Sequence, residues 1–362
     1  MRIVYNSYEG RFSDSPRAVY EALLRRAEGH EHVWLADPVH LESFPAHVAT
    51  VQYGTPECVA ALEAADVVVA NTHTDVEWSK PPGTFYLQTW HGTPLKRIHW
   101  DVLWAPPGRL ERLQRDVDRW DCLLSPNAAA TPLLRRAFHY DREVLEAGYP
   151  RNDLLSSPQR DQVRARVRDA LGIPEDQIAV LYTPTWRDDM VFAEGGKQFA
   201  LQLDVDAVAA ALAPGHCLLL RLHYMLTGRL AAMGHRHVHD VSQHADVTEL
   251  YLAADVMVTD YSSTMFDFAV TGRPMVFYAY DLDDYRDRLR GFYFDLEPEA
   301  PGPIVTTTDE LIGALRDLPA LRDRHAADYE RFRRRYCHLE DGRATERVIE
   351  RLLAGVAAAA DV

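Results

Sequence analysis

The sequence predicts an α/β protein made of two successive Rossmann-like halves facing a central cleft, with a helical C-terminus. Three observations carry this. The chain has 362 residues, more than one hydrophobic core ordinarily organises, so two domains are expected. Short, nearly continuous apolar runs alternate with longer helical patterns, as in parallel sheets covered on both faces. The alternation pauses once, around the polar, proline-containing stretch "GYPRNDLLSSPQRDQ" (148–162), and then begins again.

"RIVYN" (2–6) reads as the first strand. "SPRAVYEALLRRAEG" reads as a helix with Pro16 near its first turn, where a missing N–H is tolerated. "HVWLA", "DVVVAN" (66–71), "FYLQTW" (85–90), "DCLLS" (121–125) and "REVLEAG" (142–148) continue the strand series. After a helix at 160–171 come "QIAVLYTPTW" (177–186), "HCLLLRLHY" (216–224), "RHVHDV" (236–241), "DVMVTDYSS" (255–263) and "RPMVFYA" (273–279). The last 50 residues or so, from "DELIGALRDL" to "RVIERLLAGVAAAA", read as helical. The expected division is 1–155, 156–335 and a C-terminal helix at 336–362 packing back on the first domain. Two Rossmann-like halves and a helical tail are the architecture of GT-B transferases.

Composition narrows the function. With 47% hydrophobic and 26% charged residues, the chain reads as an ordinary globular protein. A formal net charge of -15 argues against nucleic acid, which needs a basic footprint. Cys58, Cys122, Cys217 and Cys337 are far apart with no CxxC pair, so neither a zinc site nor a disulfide framework is expected. "MRIVYNSYEG" turns polar too early for a signal peptide, and no run approaches the ~20 apolar residues of a membrane span. A cytoplasmic protein is the expectation.

Ligands of open α/β sheets bind beyond the carboxyl ends of the strands, and polar clusters follow several of the predicted strands. His91 follows "FYLQTW", "TPTWRDD" follows "AVLY", His223 follows "LLLRL", and "TDYSSTMFD" follows "DVMV". Ser262, Ser263 and Thr264 lead into a helical pattern, whose N-terminus offers unpaired N–H groups and roughly half a positive charge to a phosphate. A capping box of Thr264 with Asp267 would explain the same residues without a ligand. Arg187, Arg221 and His223 are either surface and strand-end residues or part of a pyrophosphate site. His91 has an ordinary pKa of ~6.5 and suits a general base, with Gly92 allowing the turn that exposes it; a structural role is the alternative.

The segments "YEGRFSDSPRAVYEALL", "QTWHGTPLKRI", "GYPRND", "YTPTWRD", "TDYSSTMFDF", "RPMVFYAYDLDDY" and "RFRRRYCHLEDGRATERVIERL" together resemble the CDP-glycerol glycerophosphotransferases of teichoic acid synthesis. They appear in family order from about residue 5 to 353. The resemblance implies a GT-B fold, an N-terminal acceptor domain, a C-terminal CDP-donor domain, and transfer of a polyol phosphate with release of CMP. It implies His91 as base on the acceptor hydroxyl and His223 as the histidine at the donor pyrophosphate. Ser262 and Ser263 match phosphate-binding serines, with Asp260 and Asp267 in the same motif. Asp267 sits where many GT-B enzymes carry a ribose-binding acid, and Arg187 matches the arginine of "PTWR". "RLHYM" departs from the family's "RxHP", which alters the loop beyond His223.

The implied partners are a CDP-activated polyol and a lipid-linked saccharide or polymeric acceptor at the inner face of the cytoplasmic membrane. No cofactor or protein-bound metal is expected, although Mg²⁺ stimulation is compatible with the chemistry. Segment 98–114 carries Trp100, Leu103, Trp104 and Leu110 near Lys96, Arg97 and Arg109. This mixture suits either a peripheral membrane contact or packing within the first domain. A nucleotide-sugar glycosyltransferase of the same fold and a non-catalytic phosphopolymer-binding protein are the competing readings.

Overall fold

The computed structural model describes residues 1–185, 202–222 and 237–360. The chain forms two compact units. The first comprises Met1–Thr93, Ile98–Ser156 and the chain from His338 onward; the second comprises Pro94–Arg97 and Ser157–Cys337.

The first unit contains β1 (Arg2–Asn6), β2 (Glu31–Ala36), β3 (Thr50–Gln52), β4 (Val67–Ala70), β5 (Phe85–Gln88), β6 (Cys122–Ser125) and β7 (Glu143–Glu146). Its helices are α1 (Asp14–Arg26), α2 (Pro56–Glu63), α3 (Arg109–Val117), α4 (Thr131–Phe138) and α5 (Asp153–Ser156). The sheet is parallel throughout, in the order β3-β2-β1-β4-β5-β6-β7. Period-2 alternation distributes its side chains. Ile3, Tyr5, Val67, Val69 and Leu87 join Val19, Tyr20 and Leu23 of α1 in one core. Val4, Val68, Tyr86 and Leu123 join Leu62 of α2 and Leu134 and Phe138 of α4 in the other. Both faces are covered, so the strands read as unbroken apolar runs.

The helix Ala344–Ala360 completes the first of these cores with Val348, Ile349 and Leu352. Asp153 caps it from a distant part of the sequence: its carboxylate accepts the N–H groups of Ala344 at 2.9 Å and Thr345 at 2.7 Å. Arg351 pairs with Glu143 of β7. Gly148 is required nearby: its φ is 75°, and a Cβ there would lie 2.8 Å from the Leu339 carbonyl oxygen.

The second unit contains β8 (Ile178–Thr183), β9 (His216–Leu220), β10 (Val238–Asp240), β11 (Val256–Thr259), β12 (Met275–Tyr278) and β13 (Ile304–Val305). Its parallel order is β10-β9-β8-β11-β12-β13. The helices α6 (Arg160–Ala170), α7 (Val205–Leu212), α8 (Val247–Ala253) and α9 (Thr264–Phe268) belong to it. Val180, Leu218, Leu220, Val256, Val258 and Val276 pack against Val205, Val208 and Leu212 of α7. Arg164 and Arg168 of α6 hold Asp255, at the entrance to β11, at 2.6 and 3.0 Å.

The edge strands β3 and β13, three and two residues long, have no counterpart in the sequence reading, because runs so short show no periodicity. Cys58, Cys122 and Cys217 are buried and all four thiols are free. No helix among the described residues is long and apolar enough to cross a membrane.

Candidate active site

In the first sheet the strand order reverses between β1 and β4, the position where open α/β sheets take their ligands. His91 stands there. Its Nδ1 lies 2.6 Å from the carbonyl oxygen of Asn71, the residue after β4. A carbonyl only accepts, so Nδ1 carries the hydrogen and Nε2 is the basic nitrogen of the neutral ring. Trp90 sets this aim with φ 54°, and its ring lies 4.1 Å from the imidazole. The left-handed position in the turn is therefore Trp90 rather than Gly92. The N–H of Gly92 donates to the Tyr149 hydroxyl at 3.0 Å.

Asn71 ties this loop to the end of β1. Its Nδ2 donates to Ser7 Oγ at 3.2 Å, and its Oδ1 accepts the Tyr8 N–H at 3.0 Å. Tyr8 and Glu9 are left-handed at φ 45° and 59°. Gly10 follows because a Cβ there would strike the backbone nitrogen of Asp37 at 2.1 Å. The Tyr8 hydroxyl donates to Asp14 at 3.0 Å. Arg151 donates to both Asp14 oxygens at 3.1 and 3.3 Å, and to the His91 carbonyl at 3.2 Å. Burial works to raise the Asp14 carboxyl; Arg151, the Ser15 N–H, His91 and Asn71 outweigh it and hold the group below its ordinary range.

Beneath this site lies a buried polar floor. Asp116 accepts the Thr74 N–H at 3.0 Å and the Trp120 indole N–H at 2.9 Å. Burial pushes its carboxyl up to about 7, against the pull of those donors. Burial, helped by His99 and His91, depresses His73 to about 3, so this histidine is neutral in the fold.

The second sheet reverses between β8 and β11. Asp260, at the end of β11, accepts the Thr185 N–H at 2.8 Å and the Tyr261 N–H at 2.6 Å, closing the two strand ends together. Tyr261 is buried, donates to Asp281 at 2.9 Å and stacks on Tyr285 with centroids 4.5 Å apart. This leaves Ser262, Ser263 and Thr264 half-buried at the start of α9. The capping alternative is not realised: Ser263 is the N-cap, without a side-chain cap hydrogen bond, and Thr264 lies inside the helix. Ser262 Oγ accepts the Thr264 N–H at 3.4 Å, and the Thr264 and Thr183 hydroxyls lie 3.2 Å apart. Asp267 is buried in α9. Arg221 donates to the carbonyls of Val241 at 3.2 Å and His244 at 2.7 Å, bracing the loop after β10. Arg187 and His223 lie outside the described residues.

The aromatic segment divides. Trp100 donates to Gln114 at 2.7 Å and stacks on His139 within 4° of parallel, so it packs within the first unit. Leu103 and Trp104 are 46% and 68% exposed. Lys96 bridges to Phe292, and the Arg97 N–H donates to the Gly291 carbonyl, both in the second unit.

Sequence reasoning singled out His91 but not Asn71, Asp14, Tyr8 or Arg151. Three of these stood inside motifs it quoted, "YEGRFSDSPRAVYEALL" and "GYPRND", with nothing to say that the two segments meet.

Two Rossmann-like domains, each with polar side chains at its strand reversal, define a protein of the GT-B type. Within that class, the signature of the CDP-glycerol:poly(glycerophosphate) glycerophosphotransferases matches residues 1–354, and the chain belongs to this family. It is 39% identical over 358 residues to a teichoic acid glycerol-phosphate transferase of Staphylococcus aureus (strain NCTC 8325 / PS 47), covering 96% of this chain and 92% of that one. It superposes on the wall teichoic acid polymerase TagF with a TM-score of 0.90 at 34% identity, covering 98% of this chain and 89% of that chain. UDP-GlcNAc 2-epimerase of Neisseria meningitidis matches with a TM-score of 0.55 at 13% identity, covering 98% of this chain and 100% of that one, and shares the fold alone. The protein is thus a glycerophosphotransferase with CDP-glycerol as donor. That finding disfavours the nucleotide-sugar and non-catalytic readings.

Proposed function

We propose that the enzyme transfers glycerol phosphate from CDP-glycerol to a hydroxyl of a teichoic acid acceptor, with His91 as general base. The observation that carries this is the 2.6 Å contact between His91 Nδ1 and the Asn71 carbonyl at the strand reversal. It fixes the tautomer in which Nε2 takes a proton. In this reading the acceptor oxygen attacks the β-phosphorus, its proton passes to Nε2, and the bond to the bridging oxygen breaks to release CMP. Ser262, Ser263, Thr264 and the N-terminal N–H groups of α9 take the donor phosphates, a role that the family resemblance extends to His223 and Arg187. Asp267 takes the ribose. Asp260 acts indirectly, by holding that loop, and Arg221 by bracing its neighbour.

The reading assigns charge stabilisation to protein groups, with no protein-bound metal. The similarity to a teichoic acid glycerol-phosphate transferase and to TagF supports a lipid-linked or polymeric acceptor. Exposed Leu103 and Trp104 support peripheral attachment at the inner membrane face.

The test is CMP release from CDP-glycerol and CDP-ribitol side by side, with and without Mg²⁺. His91→Ala should lose at least ~100-fold in kcat, within the range for a general base, while its unfolding transition is unchanged. A variant that retains full activity sinks the assignment.

A further inference from the structure

The peptide bond between His91 and Gly92 is held at both ends. Arg151 donates to its oxygen at 3.2 Å, and its N–H donates to the Tyr149 hydroxyl at 3.0 Å. The two holders are themselves joined, because the Arg151 guanidinium lies 4.1 Å from the centroid of the Tyr149 ring. Arg151 is committed on its other side to Asp14, and the two side chains are only 3% and 7% exposed. Asp14 begins α1 with φ 63°. With Tyr8, Glu9 and Trp90 it makes four non-glycine residues in the left-handed region around one histidine. Such backbone persists only where its surroundings over-determine it, and it gathers at functional sites.

We propose that Asp14 and Arg151 are the positioning pair of His91: Arg151 fixes the main chain of the base, and Asp14 supplies a fixed negative charge that favours its protonated form. The inference rests on His91 being the base, and extends it to the residues that hold and charge it. The carboxylate counteracts the cost of the imidazolium formed when the ring takes the acceptor proton. Titratable groups facing His91 include Tyr8, Asp14, His73 and Arg151. Asp14 is the anion of that set, since His73 is neutral in the fold.

Three variants of the full chain separate charge from geometry. Asp14→Asn removes the anion and leaves Arg151 uncompensated. His91 should then titrate at lower pH in nitrogen-15 histidine spectra, and kcat should fall about 10- to 100-fold with little change in donor KM, the scale of a misplaced catalytic group. Arg151→Lys keeps the charge but loses the fork that holds Asp14 and the His91 carbonyl together. It should lower kcat with His91 titrating as in the parent. Tyr8→Phe removes only the hydroxyl donor to Asp14, and should move the His91 titration in the direction opposite to Asp14→Asn, because the carboxylate loses a competing donor. Thermal melts establish that each variant is folded at the assay temperature. Folded variants with parental kcat and parental His91 titration overturn the pair and leave the base standing; an active His91→Ala overturns the base itself. If Asp14→Asn does not fold, Arg151→Lys and Tyr8→Phe decide.

Discussion

Asp116 and His73, whose nearest polar atoms are 3.8 Å apart, carry opposite lessons about burial. Asp116 is held protonated up to about pH 7 because burial outweighs its donors. Between about pH 4 and 7 the unfolded chain has this carboxyl ionised while the native state keeps its proton. Its contribution to stability is full below the unfolded pKa and lost as pH rises through 7. His73, neutral down to about pH 3, acts in the opposite direction, since the unfolded chain protonates it first. Asp116→Asn isolates the carboxyl term: an amide oxygen still accepts the Thr74 and Trp120 donors. Its stability relative to the parent should rise from pH 4 to 7 and level off above, as read by denaturant unfolding at several pH values. A flat difference would show that Asp116 is ionised in the fold. Little of this was legible in sequence. His91 was, because it stands at a strand end within a specific motif. Asp14 and Arg151 were not, because 137 residues separate them and only the folded sheet brings them together.

Among the elements, the helix Ala344–Ala360 has the clearest structural role. Leu352 is fully buried beneath the first sheet, and Asp153 supplies the acceptor for its first N–H groups. Leu352→Ala should cost about 2–5 kcal/mol by leaving a cavity, measured by equilibrium unfolding of the first unit's transition. A loss below ~1 kcal/mol would mean that this helix is not part of that core. The principal strands were legible because both their faces are buried, which writes a continuous apolar run. β3 and β13 escaped for want of length. The "SST" segment gave the opposite difficulty: hydroxyl residues before an apolar run look alike whether they cap a helix or face a ligand. Only the position of the N-cap at Ser263, with no side-chain bond, removes the capping box.

For the molecule as a whole, fold class was legible because the α/β alternation runs twice, and family was legible because the motifs appear in order along the chain. Which side chains would serve the proposed membrane contact was not. Trp104 and Leu103 remain exposed while Trp100 turns inward, a distinction that identical hydropathy conceals. If these two side chains enter a bilayer interface, replacing both with Ser removes two apolar anchors, each worth about 1.5–3 kcal/mol when fully buried. The protein recovered with phosphatidylglycerol liposomes in flotation should then fall about tenfold or more. Equal flotation of parent and variant excludes this surface as the anchor.

The return of His338 and the residues after it to the first unit has a consequence for biosynthesis. Translation delivers that unit's sheet before the second unit, makes the second unit almost whole, and only afterwards supplies the helix that covers Ile3, Val69 and Leu87. Of the two units, the earlier to leave the ribosome is therefore the later to be closed. While the second is being made, an apolar face of the first stands open for many seconds at the usual synthesis rate of about 5–20 residues per second. That interval is when a chaperone would have most to do for this chain.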